Sequence, residues 1–159
     1  GLGLGLGLGS NLAEHPREGA LLLLAQLEDG QPLRAAVEVA EVRRLLESGE
    51  CAAGGRDMFG LAAVHKFAAW DKVDLLDELL PHLTDAELNA ADKEGKTALH
   101  HAAEAQAVRA ARRLLAETYV DEVAGLELAR ININAVDASG RNARQVNGAG
   151  WWAKLYLKE

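Results

Sequence analysis

Three segments of the chain carry the same four-residue signature at related spacings, and this repetition restricts the fold more than any single motif does. They are Asp57-Met58-Phe59-Gly60, Asp92-Lys93-Glu94-Gly95 and Asp137-Ala138-Ser139-Gly140. In each D-x-x-G segment the Asp side chain can accept hydrogen bonds from its own turn, and the Gly tolerates positive φ. The stretch after the turn is also shared. Gly60-Leu61-Ala62-Ala63-Val64-His65 is matched 35 residues later by Gly95-Lys96-Thr97-Ala98-Leu99-His100, and Phe67-Ala68-Ala69 by Ala102-Ala103-Glu104. A second apolar pattern comes next, with Val73, Leu75, Leu76, Leu79 and Leu80 in one copy and Val108, Ala111, Leu114 and Leu115 in the other. Spacings of three and four put such residues on one stripe of a helix. Leu88-Asn89-Ala90 and Ile133-Asn134-Ala135 lead into the last two turns. A unit of turn, helix, helix and loop cannot bury its apolar face alone, so successive units must stack.

Composition agrees with stacked helices. Aromatic residues make up 4% of the 159 residues, so the core must come from Leu, Ala and Val, which suits closely packed helices and counts against an all-β fold. A formal net charge of -7 opposes nucleic-acid binding, which is driven by Lys and Arg displacing counterions. The local basic run Arg109, Arg112 and Arg113 is expected to be a solvated helix face. The single cysteine, Cys51, cannot form an internal disulfide, which favours an intracellular setting, cytoplasmic or organellar. The longest purely apolar run, Ala20 to Ala25, is far too short for a membrane span.

The D-x-x-G turn, the Thr97-Ala98-Leu99-His100 helix start, the Ala102-Ala103 pair, the Leu114-Leu115 helix and the closing Asn-Ala together resemble the ankyrin repeat. The resemblance implies an all-α fold: an ankyrin-type helix-turn-helix repeat solenoid with short hairpin loops. Residues 1–13 form a low-complexity Gly/Leu tail, and residues 14–159 are expected to be the repeat domain. Within it we expect amino cap helices over 14–56, a repeat over 57–91, a repeat with an insertion over 92–136 and a carboxyl cap repeat over 137–159. In the amino cap, Ala20 to Leu27 and Leu33 to Glu47 flank the breaker Gly30-Gln31-Pro32 and give two helices without a recognisable hairpin. The tail alternates Gly and Leu and has no initiator Met, as expected of a processed or truncated product; alone it should be flexible.

Three departures from the family pattern carry expectations of their own. Phe67 stands where a small Ala usually lets helices approach, which puts the local spacing in question. The last copy drifts through Gln145, Asn147 and Gly148, as a terminal repeat does. Between Asp92 and Asp137 the offset grows to 45, placing an insertion near Tyr119 to Arg130. Its Val120, Val123, Leu126 and Leu128 are expected to lengthen the second helix or to add a short one.

No constellation points to catalysis. His65, His100 and His101 recur at related positions, but zinc needs three or four convergent ligands and Cys51 has no partner at ligand spacing. In the resembled family the first His of such a segment bonds the neighbouring hairpin, which implies a structural role for His65 and His100. Asp74, Asp77 and Glu78, and Asp121 with Glu122, are expected on helix exteriors. The glycines form neither a phosphate-binding loop nor a dinucleotide fingerprint, and Ser10 and Ser139 lack a nucleophile-elbow context. We therefore expect no enzyme activity, no cofactor and no metal site.

The resemblance implies instead that the chain holds another protein, through its hairpin tips and the concave face of its first helices. Carried over by position, the contact residues are Met58, Phe59, Leu61 and Trp70, then Lys93, Glu94, Lys96 and Glu104, then Arg141. The first four are large and apolar, and they make the expected contact centre unless the tail or amino cap folds over them. Trp151, Trp152, Leu155, Tyr156 and Leu157, interleaved with Lys154 and Lys158, are expected to cap the last repeat rather than dock elsewhere. The function these features predict is a non-catalytic interaction module or scaffold, such as an accessory subunit of a larger assembly, with partner identity and oligomeric state open. The alternatives are a regulatory fragment of a larger enzyme, or a peripheral membrane component held by the tail and the Trp151 segment; membrane contact is not favoured.

Overall fold

In a computed structural model of the chain, residues 32–155 are described. The Gly/Leu tail, the helix expected over Ala20 to Leu27, and Tyr156, Leu157 and Lys158 lie outside them. The order of elements is α1 (Pro32–Glu47), α2 (Ala63–Ala69), α3 (Val73–Leu79), a 3-10 turn (Leu80–His82), α4 (Asp85–Leu88), α5 (Ala98–Ala105), α6 (Val108–Leu115), β1 (Thr118–Asp121), β2 (Leu126–Ala129), α7 (Ala143–Val146) and α8 (Gly148–Lys154).

The helices stand in two columns. Helix α2 packs on α5 and α5 on α7, while α1 packs on α3 and α3 on α6. The two segments related by 35 residues are thus successive layers of one stack, the arrangement that the repetition predicts. Phe67, Leu76, Leu79, Leu80, Leu88, Leu99 and Leu114 are fully buried and belong to one continuous core. Each such side chain contributes about 1.5–3 kcal/mol by leaving water. Phe67 does not displace the column: Ala63, Ala68, Ala98, Ala102 and Ala103 are also buried, and these small residues let α2 and α5 approach each other.

Helices α2 and α5 each reverse into the next helix through a single left-handed residue, Asp71 and Gln106 respectively, both at φ 55. The Lys72 amide then donates to the Phe67 carbonyl at 2.9 Å, and the Ala107 amide donates to the Ala102 carbonyl at 2.8 Å. Asp71 also reaches across the layers, its Oδ1 accepting from the Ala110 amide at 2.7 Å. A buried ion pair between Lys72 Nζ and Glu38, at 3.1 Å, ties α1 to the start of α3. Helix α4 begins with a reciprocal cap, in which Thr84 Oγ1 accepts from the Glu87 amide and the Glu87 carboxylate from the Thr84 amide.

The basic run on α6 is more engaged than a solvated face. Arg113 pairs with Asp77 of α3 and with Glu117. Arg112 donates to the Leu155 and Lys154 carbonyls at 3.0 and 2.7 Å, closing the end of α8. Arg109 alone of the three is exposed. Glu78 likewise pairs with Arg43 of α1, so Asp77 and Glu78 lie on helix exteriors as expected but link the layers of the outer column.

The insertion is not helical. Residues 118–129 form an antiparallel β-hairpin with Tyr119 opposite Leu128 and Asp121 opposite Leu126. Gly125, at φ 68, permits the reversal, and Asp121 Oδ1 accepts from the Val123 and Ala124 amides at 3.0 and 3.2 Å. Arg130 fixes the base of the hairpin, donating to Asp85 and to the Leu83 carbonyl, each at 2.7 Å, and to Glu117 at 3.2 Å. A strand geometry wins over a helix because these contacts hold both ends of the segment close together. Helix α7 is cut short at Val146, where Gly148 turns the chain at φ 76. Trp151, Trp152 and Leu155 join the common core, so α8 closes the carboxyl end of the stack.

Candidate protein-binding surface

The three D-x-x-G turns share one hydrogen-bonding scheme. Asp57 Oδ1 accepts from the Phe59 and Leu61 amides, both at 2.9 Å. Asp92 Oδ1 accepts from Glu94 and Lys96 at 2.8 and 2.9 Å, and Asp137 Oδ1 accepts from Ser139 and Arg141 at 2.8 and 3.0 Å. Each Asp amide donates across the turn, to Leu61, Lys96 and Arg141 respectively. Burial raises the Asp92 carboxyl, but hydrogen bonds from Lys96, His101 and Glu94 outweigh it and hold the group below its ordinary pKa. The Asp137 carboxyl is held low in the same way, mainly by the amide of Arg141.

Neighbouring turns are tied to each other by backbone. The Lys93 amide donates to the Phe59 carbonyl at 3.2 Å, and the Ala138 amide donates to the Glu94 carbonyl at 2.9 Å. This approach is close enough to exclude a side chain at Gly95, where a Cβ would lie 2.9 Å from the Ala138 nitrogen and 3.2 Å from the Asp137 Cα. Gly95 also has φ +77, so both its conformation and its neighbours demand glycine.

Two buried histidines tie the second and third turns to the first helix of the layer before, His65 of α2 to the second and His100 of α5 to the third. His65 Nδ1 accepts from the Ala62 amide at 2.9 Å, so Nε2 carries the proton and donates to the Ala90 carbonyl at 2.8 Å. His100 Nδ1 accepts from the Thr97 amide at 3.2 Å, and its Nε2 donates to the Arg141 carbonyl at 2.9 Å. Each ring is therefore engaged at both of its nitrogens. Burial pushes the His65 pKa down to about 4, with the nearby His101 adding to the effect and the Ala90 hydrogen bond opposing it. His101 itself bonds Asp92 Oδ2 at 2.8 Å. Among the described residues no three His, Cys, Asp or Glu side chains gather into a metal-binding group.

This framework presents the side chains between Asp and Gly to solvent. Met58 is 74% exposed and Phe59 60% exposed, while Trp70, at the end of α2, is 41% exposed. Helix α1 does not cover them. Leu61 is half-buried, and its amide is taken up by Asp57, so it belongs to the rim of the turn more than to an open patch. In the next repeat Lys93 and Glu94 are exposed. Lys96 lies flat between Glu94 and Glu104, at 2.8 and 2.7 Å, and these pairs hold its ammonium well above the usual lysine range. Arg141 is exposed beside Asp137, at 3.6 Å. The surface therefore changes from apolar at the first tip, through a charged second tip, to small residues Ala138 and Ser139 at the third. An open groove lined by Asn142, Arg144, Gln145, Gly148 and Trp152 adjoins the last turn, with the Arg144 guanidinium 5.7 Å from the Trp152 ring centre.

Sequence reasoning missed the exposed side chains of the β-hairpin, Tyr119, Val120, Val123, Leu126 and Leu128. The strand-like alternation Leu126-Glu127-Leu128 after Gly125 was the available signal. Among the described residues no helix is long and apolar enough to cross a membrane.

A family model for ankyrin repeats, in three copies, matches residues 33–124. The match takes in α1 and stops within the β-hairpin, ahead of the turn at Asp137. No curated protein matches the chain.

Proposed function

This chain belongs to the ankyrin repeat family, and we propose that it is a non-catalytic module that holds another protein, as a scaffold or an accessory subunit of a larger assembly. Ankyrin repeats are generally protein-protein interaction modules and typically non-catalytic. The reading for this chain is carried by one observation. At the first tip Asp57 takes up the Phe59 and Leu61 amides and the Lys93 amide donates to the Phe59 carbonyl, yet Met58 and Phe59 project into solvent. Large apolar side chains held on a rigid backbone lose little freedom on binding and gain much by leaving water.

The contact surface we propose runs from Met58, Phe59, Leu61 and Trp70, through Lys93, Glu94, Lys96 and Glu104, to Arg141. Affinity comes from the apolar end, and the charged pairs around Lys96 select among partners by complementarity. The buried thiol of Cys51, which forms no disulfide, supports placing the protein in a reducing compartment, cytoplasmic or organellar. The test is a pull-down from the native source with the intact chain and with a Phe59→Ala/Trp70→Ala double variant. We expect a partner retained by the first and lost by the second, with thermal unfolding unchanged to within a few degrees. A marked drop in melting temperature would instead make these residues part of the folded core.

A further inference from the structure

We propose that the β1–β2 hairpin is a second docking element, which takes up an extended basic segment of another protein as its third strand. Among the described residues the sheet has two strands, so both are edges there. The Arg130 amide bonds the Glu117 carbonyl at 2.9 Å at the base of the ladder. Alternation from that pair directs the outward amides and carbonyls of Thr118 and Val120 along one edge, and those of Glu127 and Ala129 along the other. Two-stranded hairpins are marginal by themselves, and a third strand stabilises them through the missing ladder and side-chain pairs.

The side chains match that use. Tyr119, Leu128 and Leu126 share one face and all three are exposed, as are Val120 on the other face and Val123 at the turn, the last at 99%. Exposed apolar residues in this density mark a contact surface rather than a solvated loop. The charge is one-sided: Glu117, Asp121, Glu122 and Glu127 fall within residues 117–129, with no Lys or Arg. Glu117 is already paired with Arg113 and Arg130, and Asp121 faces its own turn. Glu122 in the turn and Glu127 on β2 are exposed; Glu127 accepts from the Thr118 hydroxyl, and neither has a cationic partner among the described residues. An incoming strand that alternates apolar residues with Lys or Arg would satisfy both features. Because Arg130 clamps the hairpin base to Leu83 and Asp85, the edges are held ready rather than ordered on contact.

The test uses the full chain and a labelled ten-residue peptide alternating Val and Lys, read by fluorescence anisotropy. Controls are the Val and Glu counterpart, and an N-methylated Val and Lys peptide that keeps its charge but cannot extend a ladder. We expect saturable binding of the Val and Lys peptide only. Affinity should fall at least tenfold with Glu122→Lys/Glu127→Lys and with Val120→Pro, which removes an outward amide, and should not change with Phe59→Ala/Trp70→Ala. That last variant separates this surface from the hairpin tips. Absence of binding, equal binding of the N-methylated or acidic peptide, or indifference to the hairpin variants would overturn the proposal. So would a dimer of the unliganded chain abolished by Val120→Pro, since a second copy would then be the occupant.

Discussion

An alanine at position 95 would meet two penalties that an alanine at position 140 meets only in part. Both glycines sit in the left-handed region, Gly95 at φ +77 and Gly140 at φ +80, and a Cβ in that conformation costs about 1–2 kcal/mol. At Gly140 no atom of the described residues lies within 4 Å of the added carbon, whereas at Gly95 it falls 2.9 Å from the Ala138 nitrogen. The obstruction is backbone, so relief requires the two turns to separate and the Ala138 to Glu94 hydrogen bond to lengthen. Overpacking of this kind costs about 1–3 kcal/mol more. Gly95→Ala should therefore destabilise the fold by roughly 2–5 kcal/mol and Gly140→Ala by roughly 1–2 kcal/mol. Gly60→Ala should fall between them, since its nearest neighbours, Asp92 Cα and the Lys93 nitrogen, lie at 3.2 Å. Urea titrations followed by far-UV circular dichroism and by tryptophan fluorescence measure all three. Equal losses at positions 95 and 140 would refute the claim that neighbouring turns are packed to contact, leaving only the dihedral requirement.

The buried polar groups give two further outcomes. His65 has its folded pKa lowered to about 4 from 6.5, so the unfolded chain takes up the proton first; stability is whole above pH 6.5 and is lost as pH falls toward 4, by roughly 3 kcal/mol in total. His65→Gln should flatten this window in stability measured against pH, and an unchanged slope would show that other groups cause it. Arg112→Ala leaves the Lys154 and Leu155 carbonyls without their donors and should cost about 1–3 kcal/mol; a red shift of tryptophan emission as Trp151 and Trp152 gain water is the accompanying signal, and Arg112→Lys should recover part of it.

Features set by local rules were legible in the sequence. The Asp and Gly of each turn act within five residues of each other, so their spacing alone implies the hydrogen bonds that Asp57, Asp92 and Asp137 make. The spacing of Val73, Leu75, Leu76 and Leu79 along α3 and of Val108, Ala111, Leu114 and Leu115 along α6 reports which face is buried. Exposure of Met58, Phe59 and Trp70 was also legible, because turn tips and helix ends lie away from the core. The hairpin was not. Val120, Val123 and Leu126 recur at helical spacing, while Leu126 and Leu128 alternate as in a strand, so periodicity does not choose between the two. The choice is made by Arg130, whose partners Asp85 and Leu83 lie 45 and 47 residues away. The service of Arg112 to the end of α8 was hidden for the same reason, since the carbonyls it meets are 42 and 43 residues distant. Contacts made through space between remote positions leave no trace in local spacing.

Between each Asp and Gly, Phe59 in the first turn, Lys93 and Glu94 in the second, and Ala138 and Ser139 in the third hold their places through main-chain atoms. Apart from Glu94, whose carboxylate pairs with Lys96, their side chains can thus vary without disturbing what supports them, and proline is excluded because these amides are bonded. Selection can rewrite what this edge of the molecule recognises while the architecture beneath stays constant, so a related chain could keep the same stability and answer to a wholly different companion.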